Sequence, residues 1–224
     1  MPDKFVTDPA NIVGARIRAD ENDFSSEISW NDSKIKYVTD KIRGKSVLDL
    51  GCVSHDPNTY RSKYWLHKAI SESASSVVGM DLSQSGVEFL TQRNFKVIMG
   101  DVQNFNLDTK FDVIVAGDLI EHLENFSGFL QSCKNNLKTS GELIITTPNP
   151  WYWRNIVKAI ISTEVKNNEE HTCWLCPRTL RQLASRHGYN LYDIKFGSRY
   201  KRDLWAPLPR GVKHTTWFAS LNLK

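Results

Sequence analysis

The sequence predicts one doubly wound α/β domain, a mostly parallel sheet with helices on both faces, and three observations predict it. Short runs rich in Val, Ile and Leu alternate with longer helical patterns along the chain. These runs are nearly continuous in hydrophobicity instead of alternating, as strands covered on both faces must be. Acidic residues recur where successive runs end, and in open α/β sheets the rim at the strands' carboxyl ends is where ligands bind.

Taken in order, the expected strands are SVLDLG (46–51), SVVGMDL (76–82), KVIMGD (96–101), FDVIVAGD (111–118) and ELIITTP (142–148). Helices are expected between them at 32–43, 59–73, 83–93, 120–138 and 177–187. Gly44 after a basic helix end, Pro177 in a first turn and Gly188 after His187 supply boundaries. After Pro150 the pattern loosens into the aromatic stretch WYWRNIVKAIISTEVKNNEEHTCW. Two weaker strand patterns, 189–197 and 216–223, belong to the same sheet. No repeat, low-complexity segment or linker divides the chain.

With 224 residues, 40% of them hydrophobic and 24% charged, the chain has the means for one full core. No stretch approaches the roughly 20 apolar residues of a spanning helix, and MPDKFVTDPANIVG has acids and a proline where a signal peptide has a basic head, so a cytoplasmic location is expected. The four cysteines are too scattered for a disulfide framework. Cys173 and Cys176 form a single CxxC with only His171 nearby, which reads as free thiols before zinc. The net charge of +4 is dispersed apart from Arg199, Lys201, Arg202 and Arg210, so a nucleic-acid partner is permitted but not implied.

Asp49, Asp81, Asp101 and Asp118 sit at the ends of the first four strands. Singly, each reads as well as a helix cap; four along one rim argue for a ligand. A dinucleotide needs G-x-G-x-x-G to bring backbone N–H groups against its pyrophosphate, and the first loop, GCVSHDP, has Gly51 as its only glycine. S-adenosylmethionine brings no phosphate but a sulfonium, an ammonium, a ribose diol and an adenine amine, all of which suit carboxylates.

The segments VLDLGC, VVGMDLS, GDVQNF, FDVIVAGDLIEHL and ELIITTPNP resemble, in order and spacing, the successive motifs of class I S-adenosylmethionine-dependent methyltransferases over residues 46–150. The resemblance implies a Rossmann-like sheet of seven mostly parallel strands with an antiparallel last strand. It implies one methyltransferase domain over 1–224: a helical lead-in (1–45), a cofactor-binding core (46–150), a substrate-side aromatic insert (151–176) and a closing helix with strands (177–224). It places Asp49 and Gly51 at the methionine part of the donor, Asp81 on the ribose hydroxyls, Leu82 on the adenine face, Asp101 and the Val102 backbone at the adenine amine, and Asp118 at the same site. Two departures stand out. Val53, Ser54 and His55 occupy a loop that is usually glycine-rich, and the stretch from Gly51 to Asp81 is long, with Tyr60, Tyr64, Trp65 and His67 inserted.

Methyl transfer to an alcohol requires alignment and a group to take the proton. His122, just past the fourth strand, is the expected base, with His171 as a second catalytic candidate. Asp118, Glu121, His122 and His171 are also an O/N ligand set for Mg²⁺ or Mn²⁺. That set is similar to the E-x-x-E-H and distant His of small-RNA 3′-terminal 2′-O-methyltransferases, with Asp for the first Glu. Quinone-pathway O-methyltransferases share the strand-end EH. Trp151, Tyr152, Trp153, Trp174, Trp205 and Trp217 suit a sugar's apolar face or serve as core. The order TPNPWYWRN, EEHTCW, then a helix at Pro177 resembles methyltransferases of surface-polysaccharide biosynthesis and glycosylation. The expected activity is therefore O-methylation of a sugar, glycoconjugate or related small molecule. Methylation of an RNA 3′ end and non-catalytic binding of S-adenosylmethionine are the alternatives.

Overall fold

The computed structural model describes residues 27–28, 30–54, 56–162, 165, 168–197, 199–200, 203 and 207–224. Most of the lead-in expected over 1–45, His55 of the first loop, and Lys201, Arg202 and Trp205 lie outside the described residues.

Seven strands form one sheet: β1 (Ser46–Leu50), β2 (Ser76–Asp81), β3 (Val97–Met99), β4 (Phe111–Gly117), β5 (Leu137–Pro148), β6 (Tyr189–Gly197) and β7 (Thr216–Leu223). Their spatial order is β3-β2-β1-β4-β5-β7-β6. The pairs from β3 to β5 are parallel, while β7 runs antiparallel to both β5 and β6. Strand order reverses between β1 and β4, which places the ligand crevice there. A separate two-residue ribbon pairs Glu27–Ile28 with Arg199–Tyr200.

The unbroken hydrophobicity of the strands follows from their two covered faces. Val47, Val113, Val115 and Ile144 point to one side, where they pack with Val38 and Ile42 of α1 (Trp30–Ile42) and Ile70 of α2 (Leu66–Ser73). Their neighbours Leu48, Leu50, Ile114, Ala116, Leu143 and Ile145 point to the other. There they meet Phe129, Leu130 and Cys133 of α4 (Phe126–Asn136) and Leu180 and Ala184 of α6 (Pro177–Arg186). Truncating a fully buried member such as Ile114 to alanine costs about 2–5 kcal/mol. Helix α3 (Gln84–Thr91) follows β2, with the Ser83 side chain accepting from the Gly86 N–H as its cap.

Two expected helices are divided, and one observed helix was not expected. The pattern over 59–73 divides into a 3-10 turn, Pro57–Arg61, and α2; between them Trp65 is buried and donates its indole N–H to the Cys52 carbonyl at 3.1 Å. The pattern over 120–138 divides into a 3-10 turn, Ile120–His122, and α4, because Leu123 is extended and Asn125 caps a new start at Phe126, its side chain accepting from the Gly128 N–H. The aromatic stretch contains a helix, α5 (Trp153–Ile161), with no buried residue. Its apolar face is bare, Ile160 and Ile161 being 78% and 77% exposed. Among the described residues no helix is long and apolar enough to cross a membrane.

Candidate active site

Parallel strands deliver their carboxyl ends to one rim, and the acids stand there. β1 runs into Gly51, whose φ of +72° is open to glycine at little cost, and whose N–H donates to the Met80 carbonyl at 2.8 Å. Asp49 is buried, and Nδ1 of the buried His67 lies 2.8 Å from its Oδ2. Burial raises the Asp49 carboxyl above its usual range, against the opposing pull of His67. At the end of β2, Asp81 accepts from the Ser83 N–H through Oδ1 at 3.0 Å and from the Val53 N–H through Oδ2 at 2.9 Å. The adjacent Leu82 is 71% exposed, and Met99, opposite Asp81 in the β2–β3 register, is exposed too. Beyond β3, Asp101 is exposed and accepts from the Gln103 N–H at 2.9 Å, while Val102 is buried.

The other half of the rim is built on β4 and β5. Asp118 adopts a left-handed φ of +50°, a strain of about 1–2 kcal/mol for a residue with a side chain. Thr146 holds it there, donating its hydroxyl to Asp118 Oδ1 at 2.8 Å and accepting the Asp118 N–H at its carbonyl and hydroxyl, both at 3.0 Å. Lys34 of α1 reaches Oδ2 at 2.5 Å. Burial pushes the Asp118 carboxyl upward, but the Lys34 charge and the hydrogen bonds from Lys34 and Thr146 outweigh it and leave it below the usual range.

The 3-10 turn after Asp118 presents Glu121 and His122. Glu121 is buried; the Thr147 hydroxyl donates to its Oε2 at 2.9 Å, and its Oε1 has no hydrogen-bond partner among the described residues. Burial, and then the charge of Asp118, push its carboxyl up to about 8. The Thr172 N–H donates to the Glu121 carbonyl at 2.9 Å and the Thr172 hydroxyl to the Leu123 carbonyl at 2.8 Å, docking the segment that carries His171. The His122 and His171 rings meet edge to face with centroids 4.7 Å apart, and His122 Nδ1 is 3.9 Å from Glu170 Oε2. Burial, then the neighbouring His122, lowers the His171 pKa to about 4 despite Asp118, and its buried Nδ1 has no hydrogen-bond partner among the described residues.

Among the described residues, Glu121, His122 and His171 each bring one ligand atom to within 4.8 Å of the others. Asp118, the fourth expected ligand, is not in that group; its carboxylate is engaged by Lys34 and Thr146. The expected aromatic wall is divided. Trp217 is wholly buried, with its indole N–H on the Leu175 carbonyl at 3.2 Å, and Tyr152 and Trp153 donate to the buried Asp203. Trp151 is half-exposed, and the buried Trp174 indole N–H has no hydrogen-bond partner among the described residues. Lys34, His67, Thr147 and Thr172 were not expected. Of these only His67 carried a sequence signal, its place in the insert after Gly51.

A family model described as a methyltransferase domain matches residues 28–194. The ubiquinone biosynthesis O-methyltransferase of Coxiella burnetii is 26% identical over 178 residues, 73% of this chain and 72% of that one. The crystal structure of a TehB-like SAM-dependent methyltransferase from Corynebacterium glutamicum superposes with a TM-score of 0.59 at 19% identity, over 97% of this chain and 100% of that one. The glycopeptide N-methyltransferase MtfA complexed with S-adenosylmethionine gives 0.57 at 15% identity, over 86% of each chain. The sheet order, the acid-lined rim and the family match together establish that this chain belongs to the methyltransferase-domain family and is a class I S-adenosylmethionine-dependent methyltransferase.

Proposed function

We propose that the chain transfers the methyl group of S-adenosylmethionine to a hydroxyl of a small acceptor, a sugar or glycoconjugate hydroxyl in first place. The observation that carries this reading is the convergence of Glu121, His122 and His171 beside Asp118 at the end of β4. An O-methyltransferase needs a proton acceptor where the donor and acceptor meet. His122 takes that role, and His171, neutral near pH 7 because its pKa is about 4, accepts a hydrogen bond from the acceptor hydroxyl or orients it.

In this reading residues 46–150 hold the donor, 151–176 face the acceptor, and the whole of 1–224 is one domain. Asp81 takes the ribose hydroxyls. Its two main-chain donors fix the carboxylate, and each oxygen keeps a lone pair for a hydroxyl. The bare Leu82 lies on the adenine face, with Asp101 and the Val102 backbone at the amine. Asp49 and Gly51 take the methionine end, and Asp118 faces the sulfonium.

Two imidazoles and a carboxylate also fit a divalent cation. Glu121 Oε1 and His171 Nδ1, buried without hydrogen-bond partners among the described residues, are atoms such an ion would satisfy. When bound there, Mg²⁺ or Mn²⁺ supplies Lewis acidity that lowers a hydroxyl's pKa. Glu121, His122 and His171 would hold it, leaving Asp118 to Lys34.

A second reading, a ring hydroxyl of a quinone precursor as acceptor, is favoured by the C. burnetii relative. Transfer of radiolabelled methyl from S-adenosylmethionine to a panel of sugars, nucleotide sugars and dihydroxybenzoates tests both. Labelled methyl ethers of the sugars support the first reading; labelling of the phenols alone replaces it with the second.

A further inference from the structure

The first loop holds one glycine, so it lacks the usual means of shaping a pocket for the amino-acid end of the donor. What stands behind it is a dyad. The Asp49 side chain is 4% exposed, and its one hydrogen bond among the described residues is to His67. An ionised carboxylate can only accept, so toward that form of Asp49 the Nδ1 of His67 is the donor. The ring packs against Trp65 and Phe95, with centroids 5.1 and 5.7 Å away, and those two rings also meet edge to face at 5.0 Å. It passes so close over β2 that a Cβ on Gly79 would stand 2.8 Å from its Cε1. Its Nε2 is buried with no hydrogen-bond partner among the described residues. The ring is therefore held fixed with Nδ1 aimed at one oxygen of Asp49.

We infer that His67 is a positioning residue for the donor: it fixes the orientation of the Asp49 carboxyl group opposite the ammonium of the donor's methionine end. The inference rests on the donor assignment proposed above. In this chain α2, brought in by the long stretch after Gly51, supplies from behind the order that a glycine-rich loop otherwise supplies by close backbone approach.

Two nucleosides separate this role from packing. S-Adenosylhomocysteine carries the amino-acid end, and 5′-methylthioadenosine shares its nucleoside but lacks that end. Calorimetric Kd values are to be measured for both with the wild type, His67→Leu and His67→Asn. Leu fills the space without a donor, whereas the Asn amide N–H reaches the position of Nδ1. His67→Leu should weaken S-adenosylhomocysteine by about tenfold or more and 5′-methylthioadenosine by less than about twofold, and His67→Asn should recover most of the loss. Equal weakening of both ligands, unchanged binding in His67→Leu, or an Asn variant as weak as Leu at matched Tm would overturn the inference. If His67→Leu does not fold, Asp49→Asn must show the same selective loss, and failure to do so overturns it equally. A wild type that binds neither nucleoside refutes the donor assignment itself, and with it this role; one that binds both tightly while the variants show no selectivity refutes only the role of His67.

Discussion

The Lys34 ammonium lies 2.5 Å from Asp118 Oδ2, so the first helix closes the rim at the one acid whose backbone is held in a left-handed conformation. The pair is largely shielded, with side chains 11% and 27% exposed, and it keeps Asp118 ionised next to Glu121, which is pushed the other way. Lys34→Met preserves most of the stem and removes the charge. Asp118 should then titrate at higher pH. Its lowered pKa contributes stability that is present above the ordinary carboxylate range and lost as pH falls through the folded value, so the variant's deficit against the wild type should be full at pH 7 and shrink as the pH falls through that range. A drop in Tm of roughly 2–8 °C at pH 7 is expected, together with an acid limb of kcat/KM displaced upward. An acid limb that stays in place would show that Lys34 does not govern Asp118.

Asp81 is fixed by two backbone N–H groups, one of them from the loop after β1. Asp81→Ala therefore removes the proposed acceptor of two ribose hydroxyls and also releases the loop at Val53. Donor affinity should fall by at least about tenfold. Asp81→Asn leaves an amide oxygen for one N–H and should lose less. Titration of S-adenosylhomocysteine into each variant decides, and equal affinities across the series would remove Asp81 from the donor site.

How much of this was legible in the sequence depends on the range of the interaction. The strands were, because burial on both faces writes Val, Ile and Leu into consecutive positions, and the acids at their ends marked the rim. The helices over 59–73 and 120–138 were joined in the sequence reading because their apolar spacing continues across each break. The breaks are made by tertiary bonds, the Trp65 indole on Cys52 and Thr172 on the Glu121 and Leu123 carbonyls. Helix α5 was not legible because no residue on it is buried, so its apolar positions carry no pattern of burial. At the site, His122 and His171 were readable as a pair from residue type alone. Lys34 was not, for a lysine in a surface-patterned helix gives no sign that it will turn inward toward a residue 84 positions away.

His122→Ala should leave the affinity for S-adenosylhomocysteine intact and reduce methyl transfer by about 100-fold or more, as expected for loss of a general base. Metal removal divides the two roles open to that histidine. If Glu121, His122 and His171 hold a divalent ion, activity should vanish on chelation and return with Mg²⁺ or Mn²⁺, and Glu121→Gln should raise the concentration of Mn²⁺ needed for half-recovery. Activity indifferent to chelators would leave the two histidines with proton handling alone.

The last prediction concerns the far end of the sheet, away from the chemistry. Asp112 at the start of β4 accepts from Lys138 at 2.8 Å through Oδ1, and through Oδ2 from the Ser46 hydroxyl at 2.6 Å and the Ser46 N–H at 2.9 Å. It thereby clips the beginnings of β1, β4 and β5 together. The Lys138 hydrogen bond first, and then those from Ser46, lower its pKa to about 2. In the unfolded chain an aspartate titrates near about 3.9. The contribution is thus fully present above about pH 4 and is lost as pH falls through about 2. The carboxylate is one-third exposed, so solvent screening keeps the effect small, of the order of 1 kcal/mol or 2–4 °C in Tm for a chain of this size. Asp112→Asn should lower Tm by that amount at pH 7, and urea titrations at successively lower pH should show the gap to the wild type closing between about pH 4 and 2. A gap that does not change with pH would mean that the charge of Asp112 contributes nothing and that only the shape of the clip matters.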